Sequence, residues 1–543
     1  FPTQSLWVAD QLSQRLLRFS NLTFASPPLP DTPANRCLVQ LRDIAVTPLA
    51  CSFVPDASVT FAQYNTILAQ YVVIPKSTAD IQRVLACAAE NGVTVAVKNG
   101  GHNYAGFSQA PADGFQIWVQ PNLNNYTVVN FDGKVALRVS AGAVGGQIYQ
   151  WLSTNMPGWL LAGGLCPSVG TVAFHVGGGL GALSRMFGMG ADNMLEATMV
   201  TSDGSSIVTA NAATNPNLYW ALRGGGGPSF GVVTELVIQL HQEAEDPKYT
   251  FGEYCVGNAS EDIIASLQLL AEITAVTDFP DWLTVDWRLV NRDPLLGNNG
   301  TGLCYLVYSL KSRNETLFAL EPLFGQPALE RSAPPPGQKW NFLQEESSFL
   351  AMIKANAKTK GYLTQTLRLK YPSYNKNCIL PPLNSDLIQA LVAQYYTMPS
   401  YSCYIQGLAL GGGPTTAVPV SDTAFPWRGA GLYAADAECD SSGAGNDTAE
   451  LNFVSSYIER VSPWCQGAFL NFPYLDLENF AESYWSTNLP RLQSVRAIWN
   501  PNENNPLAFA QAVPLPYVSE ATRRSSFLLS FLNAISTWTK YDW

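Results

Sequence analysis

The chain has 543 residues, of which 47% are hydrophobic and 13% charged, and its formal net charge is −11. That length suits two domains with separate cores, and that composition belongs to a folded rather than a disordered protein. The excess of acid excludes nucleic acid and anionic membrane surfaces as partners, and no apolar run reaches the roughly 18 residues of a membrane-spanning helix.

Phe1–Arg18 has no initiator Met and no charged-then-apolar layout, so the chain reads as a processed, mature protein. Six Asn-x-Ser/Thr sequons, at Asn21, Asn125, Asn258, Asn299, Asn314 and Asn446, favour a secreted glycoprotein with N-linked glycans. Ten cysteines suit that compartment without making a dense disulfide framework, and none forms a Cys-x-x-Cys pair of zinc or thioredoxin type. No metal is expected, and a monomer is.

In chain order, 1–36 is an extension, with a short helix at Leu12–Phe19 and a linker punctuated by Pro27, Pro28, Pro30 and Pro33. A first domain is expected over 37–245. Tyr71-Val72-Val73-Ile74 predicts a strand stopped by Pro75. Ser77-x-x-Asp80 is a capping-box start for a helix with Ile81, Val84, Leu85 and Ala88 on one face. Val93–Val97 predicts the next strand, completing a β-α-β unit. Val135–Ser140 alternates as a half-buried strand, and Glu196–Ser202 with Ser206–Thr209 predicts a hairpin about Asp203-Gly204. Asn215–Arg223 predicts a helix, Gly224–Gly227 a glycine loop, and Phe230–Leu240 a strand.

A second domain is expected over 246–495, with 496–543 returning to the first. Asp281–Val290 places Leu283, Val285, Trp287 and Leu289 on one face; Leu303–Leu310, Cys403–Leu410 and Gly431–Cys439 are further strands. Ser260–Thr274, Asn384–Met398 and Thr448–Val461 predict helices. One-sided alternation mixed with helices makes the fold class α+β, an antiparallel sheet covered by helices. Ser441–Gly445 is a low-complexity loop.

Two stretches carry the chemistry. Lys98-Asn99-Gly100-Gly101-His102-Asn103-Tyr104-Ala105-Gly106 follows a strand, and its glycines let the backbone turn sharply with amides exposed toward a pyrophosphate. Gly163-Gly164-Leu165-Cys166-Pro167-Ser168-Val169-Gly170 answers it, followed by Gly177–Gly181. At these stretches the sequence resembles the berberine bridge enzyme-like branch of the vanillyl-alcohol-oxidase flavoproteins. The resemblance covers most of Tyr71–Gln239 and returns in Ser421–Arg428 and Asn471–Asn500.

The resemblance implies a two-domain flavoprotein: a PCMH-type FAD-binding domain and a substrate domain whose sheet covers the flavin. It implies bicovalent FAD, bonded from His102 to the 8α-methyl and from Cys166 to C6. Gly100, Gly101, Asn103 and Gly106 of the first motif, Val169 and Gly170 of the second, and Gly178 would surround the cofactor. Val233, in a Gly-Val-Val-Thr strand opening, would meet the adenine, and Asn471 matches the family's Asn-Tyr motif. Small Val169 implies room for O2. Cys37 and Cys87 match a disulfide of relatives. Two tethers withdraw electron density and raise the flavin potential.

Phe425-Pro426-Trp427-Arg428 resembles the family's Phe-Pro-His-Arg signature, and counting forward puts Asp436 at the position of the catalytic base. Leu432, Ala434, Asp436 and Glu438 share a face at period two, where partial desolvation would raise the Asp436 pKa; the alternative is one acid of a solvated strand end. Tyr104 is either a substrate contact or a packing tyrosine. Phe472 lacks the phenol that oligosaccharide oxidases place beside the flavin. His175 reads as a structural histidine and His241 as a surface one. Gly177-x-Gly179-x-x-Ala182 fits a dinucleotide fingerprint but lacks a sound preceding strand, which leaves an NAD-dependent enzyme only as an outside alternative.

The expected activity is a secreted FAD-dependent oxidase. It takes a hydride from an alcohol-type carbon of a small molecule, and O2 reoxidises the flavin to give H2O2. An aromatic or secondary-metabolite alcohol is the favoured substrate. Oligosaccharide oxidation, oxidative cyclisation of a specialised metabolite, and flavin holding without turnover are the alternatives.

Overall fold

The computed structural model describes residues 31–516 apart from 42, 49–70, 276–278, 292–301, 325–341, 361–372, 401, 441–446, 503–504 and 508–510. The expected Leu12–Phe19 helix, the loop Ser441–Gly445, Cys51, and the sequons at Asn21, Asn299 and Asn446 lie outside these residues, as does 517–543.

The described strands form three sheets. The first contains Ala45–Pro48, Tyr71–Ile74, Phe115–Trp118 and Val95–Lys98, in that spatial order; the last three run parallel. Ser77 caps the helix Thr78–Asn91, accepting from Asp80 N–H, while the Asp80 carboxylate accepts from Ser77 N–H. That helix buries Ile81, Val84, Leu85 and Ala88, as its spacing predicts. Cys87 on its inner face is disulfide-bonded to Cys37 of the helix Pro33–Gln40. The unit therefore delivers Lys98, at a strand's end, directly into the first glycine motif.

The second sheet runs Tyr126–Phe131, Lys134–Ser140, Gly231–Gln242, Met194–Thr201, Ile207–Asn211, with Trp159–Leu161 also paired to Gly231–Gln242. The expected hairpin is the pair Met194–Thr201 and Ile207–Asn211. Its turn packs on the capped helix so closely that a Cβ at Gly204 would lie 2.3 Å from Ala86 N. Val172–Val176 belongs to the helix Thr171–Val176, not to a strand, so a dinucleotide fingerprint has no strand to start from.

The third sheet has seven described strands, ordered Phe342–Glu346, Tyr249–Cys255, Leu303–Ser309, Leu283–Val290, Cys403–Ala409, Tyr433–Asp440, Ser373–Leu380, every pair antiparallel. Alternation gives it two unlike faces. Leu283, Val285, Trp287 and Leu289 pack in a core with the helices Ser260–Ala275, Ser385–Tyr395 and Thr448–Val461. Thr284, Asp286 and Arg288 point the other way, into a cavity. Disulfides join register partners across this sheet, Cys255 to Cys304 and Cys403 to Cys439, and Cys378 is tied to Cys465. After this sheet the chain returns to the first one, where Val95 N–H donates to Pro506 O at 2.5 Å.

Two strands of the third sheet, Tyr249–Cys255 and Ser373–Leu380, carry no clean alternation, since both are buried along nearly their whole length; burial on both faces erases the period that a sequence reading depends on. The N-cap gives a direct check of the local reading. Ser77→Ala removes the side-chain acceptor of the helix's third amide, Asp80 N–H, and is expected to lower stability by about 1 kcal/mol, read as a shift of the urea midpoint at unchanged slope.

Candidate active site

A cavity of about 880 Å³ lies between the glycine motifs and the third sheet. The two motifs meet there because glycine allows it. A Cβ at Gly100 would sit 2.0 Å from Ser168 O, so only a residue without one brings the turns into contact. Asn99 clamps the same junction, its Nδ2 donating to Ala141 O at 2.6 Å and Ala143 O at 3.0 Å, with its Cβ packed on Gly170. Behind the second motif, Gly145 N–H and Gly146 N–H donate to Val169 O and Pro167 O at 3.0 and 2.8 Å.

His102, Cys166 and Tyr104 all line the cavity, as do Gly100, Gly101 and Asn103. Val169, Gly170, Val233 and Asn471 line it too. His102 Nε2 lies 2.8 Å from Ser168 Oγ, and burial lowers the imidazole pKa to about 4, so the ring is neutral near pH 7. Asn471 is held by its Nδ2, which donates to Phe174 O at 3.0 Å, and its Oδ1 occupies the space a Cβ of Gly177 would need.

Two residues expected beside the cofactor do not line the cavity. Gly106 closes the turn that Asn103 begins, its N–H donating to Asn103 O, and Gly178 packs against the Phe425 ring. Asp436 is also off the cavity wall. It does sit on the face of Leu432, Ala434 and Glu438, but its short carboxylate is fully buried beneath Asn375 and Gln406, which donate to it at 2.8 and 3.0 Å. Burial, and then the charge of Glu438, raise its pKa well above the ordinary value.

Glu438, one pleat further, reaches the cavity instead. Its Oε2 accepts from Tyr104 at 3.1 Å and from Tyr404, and its Oε1 accepts from Ser373 at 2.9 Å. Burial and the Glu438 charge raise the Tyr104 pKa well above its ordinary value, so the phenol is a proton donor to the carboxylate. Phe472 stands edge-on to Tyr104 with ring centroids 5.8 Å apart. Arg288 lies over the Tyr404 ring and donates to Gln406 Oε1 at 2.7 Å, fixing the amide that in turn donates to Asp436. Asp286, beside them, is pushed up to about 7 by burial.

The remaining histidines are both packed. His175 is fully buried with Nδ1 2.7 Å from Thr171 O, a structural role. His241 is not a surface residue: it stacks on Phe187 at 4.2 Å and its Nε2 lies 2.5 Å from Asn193 Oδ1, because its strand end is covered by the turn before Met194. Trp427 fills the place of the signature histidine and donates to Ala468 O at 3.2 Å, while Arg428 forms a buried two-bond ion pair with Asp192. Sequence reasoning did not single out Ser168, Tyr404, Gln406 or Arg288; their importance depends on register between strands and loops distant in the chain.

The wall has room for a large ligand that carries polar groups. Asn99 Oδ1 and Ser108 Oγ are buried at it without a hydrogen-bond partner among the described residues, a demand that a bound group satisfies. Gly227 borders the cavity with only Val176 Cγ2 near its Cβ position, at 3.7 Å, so the cavity reaches its backbone.

Comparison with known proteins agrees. Residues 69–210 match the family model described as FAD binding domain, and 468–514 match the one described as berberine and berberine like. Berberine bridge enzyme-like 22 of Arabidopsis thaliana is 23% identical over 498 residues, covering 86% of this chain and 89% of its own. A structure of the glucooligosaccharide oxidase from Acremonium strictum, which carries 6-S-cysteinyl, 8α-N1-histidyl FAD, superposes with a TM-score of 0.74 at 21% identity, over 89% of this chain and 100% of that one. Berberine bridge enzyme in complex with (S)-reticuline superposes with a TM-score of 0.74 at 19% identity, over 90% and 100%. With its FAD-binding model, its C-terminal berberine-like model and full-length relatives, the chain is a berberine bridge enzyme-like, FAD-linked oxidoreductase.

Proposed function

We propose that this enzyme oxidises an alcohol-type carbon of an aromatic small molecule, with FAD attached through both His102 and Cys166. The observation that carries the reading is the Tyr104–Glu438 pair on the cavity wall, a hydroxyl hydrogen-bonded to a carboxylate at 3.1 Å. Held by His102 and Cys166, FAD would supply the hydride acceptor for the substrate carbon and the route for two electrons to O2, with H2O2 as the product.

The chain supplies the proton's path. A hydride leaves a carbinol more easily when the hydroxyl proton leaves with it. A substrate hydroxyl at Tyr104 hands its proton to the phenol oxygen as the phenol proton passes to Glu438. Asp436 lies behind this pair, its carboxyl accepting from Gln406 and Asn375 and its pKa raised well above the ordinary value by burial and then by the Glu438 charge. Gly100, Gly101, Asn103, Gly170, Val233 and Asn471 shape the cofactor's bed, and Val169 leaves space for O2 beside it. We assign the bed to the described residues of 37–245 together with those of 496–516, and the sheet above it to 246–495.

Substrate class follows from the wall beside Tyr104. Phe472 and Phe469 face one another edge-on at 5.3 Å, and both line the cavity with Phe174 and Tyr404; such edges favour an aromatic ring. Oligosaccharide oxidation is the second reading, supported by the glucooligosaccharide oxidase among its structural neighbours and by Asp286 and Arg288, which suit sugar hydroxyls. Secretion as an N-glycosylated protein is supported by four disulfides among the described residues and by the exposure of Asn125, Asn258 and Asn314.

A panel of aromatic alcohols and of cello- and xylo-oligosaccharides, read by peroxide release, is expected to give its highest kcat/KM with an aromatic alcohol; a higher value with an oligosaccharide selects the second reading. On the best substrate, Glu438→Gln is expected to lower kcat by about 100-fold or more with flavin content unchanged. Parent-like turnover in Glu438→Gln together with loss of turnover in Asp436→Asn would return the base to Asp436.

A further inference from the structure

The contact between the two glycine motifs includes a side-chain bond to the histidine. Ser168 Oγ lies 2.8 Å from His102 Nε2. Ser168 itself is fixed from both sides: its carbonyl is pressed on Gly100, and the neighbouring Pro167 and Val169 carbonyls accept from Gly146 and Gly145. We propose that Ser168 is a positioning residue for histidyl attachment of the cofactor, holding Nε2 so that the bond to flavin forms at Nδ1. This rests on the reading that His102 carries FAD.

The chemistry of attachment shows what a hydroxyl contributes. One imidazole N–H and one C–H of the flavin 8-methyl are lost and one N–C bond forms; the two electrons and two protons released reduce O2 to H2O2. A ring nitrogen attacks carbon only through an unprotonated lone pair. The neutral imidazole carries a single proton, and burial keeps His102 in that neutral form near pH 7. With Nε2–H donating to Ser168 Oγ, the lone pair is on Nδ1. Once Nδ1 is bonded to carbon, Nε2 gives up its proton to solvent through the hydroxyl and becomes an acceptor. The serine then rotates its own O–H to donate. A hydroxyl serves both states, being donor and acceptor at once; a methyl group serves neither. Cys166, two residues away in the same loop, makes its own bond without passing through this contact, so the two attachments should separate on mutation.

The parent protein, Ser168→Ala and Ser168→Thr are each produced with FAD in air, sampled over time, denatured and digested. Mass spectrometry then gives the fraction of flavin on the His102 peptide and on the Cys166 peptide. The expected result is histidyl attachment about tenfold slower in Ser168→Ala, the worth of one hydrogen bond to a reacting group, with cysteinyl attachment kept and histidyl attachment restored by Ser168→Thr. Histidyl attachment at the parent rate in Ser168→Ala overturns the proposal alone. Loss of both attachments in Ser168→Ala and Ser168→Thr alike also overturns it, since the residue would then act only through loop packing. A parent protein with no flavin on the His102 peptide overturns the covalent reading itself, and this proposal with it.

Discussion

The backbone contact between Gly100 and the carbonyl of Ser168 governs the rest of the site. With 2.0 Å between that oxygen and the position of a Cβ, no other residue type brings the two turns together. Because they touch, His102 and Cys166, 64 positions apart by their numbers, open onto one cavity. The approach is supported from outside: Asn99 ties the first turn to the carbonyls of Ala141 and Ala143, and the amides of Gly145 and Gly146 tie the second to the start of a helix. The cofactor bed is thus held by bonds within the chain itself, as a reaction needing fixed distances requires.

The opposite wall obeys a different constraint, the two-residue period of a sheet. One face of the seven-stranded sheet is apolar and lies under three helices, while the other presents Asp286, Arg288, Gln406 and Glu438 to the cavity. Side-chain length then decides function between neighbours of one face. Asp436 and Glu438 have the same orientation, but the shorter carboxylate ends among amides and the longer one reaches two phenols. Two buried acids this close do not ionise alike, and the Glu438 charge is one reason the Asp436 pKa rises. The arrangement therefore sets one acid at the cavity wall and the other behind it.

Local signals were legible in the sequence wherever a few residues decide a structure. Ser77 and Asp80 mark a helix start, the apolar spacing to Ala88 marks its buried face, and Asp203-Gly204 marks a hairpin. The two glycine motifs identify the bed for the same reason. What depends on register between distant strands was not legible. Nothing local to Asp436 shows that Asn375 and Gln406 cover it, and nothing local to Glu438 shows that Tyr104, 334 residues away, donates to it. His241 misleads in the same manner: its polar neighbours in sequence suggest a surface, and Phe187 covers it in space. Gly106 and Gly178 belong to the right motifs but serve the turn and the packing behind the wall.

The central claim is that the two motifs hold flavin by covalent bonds. The most direct measurement is the visible spectrum of the purified protein, taken before denaturation and again on the retained fraction after denaturation and filtration. Flavin absorbance that stays with the unfolded chain is the predicted result. Absorbance that passes through the filter, or that is missing from the native protein, would contradict the account and remove the basis for assigning His102 and Cys166 to the cofactor.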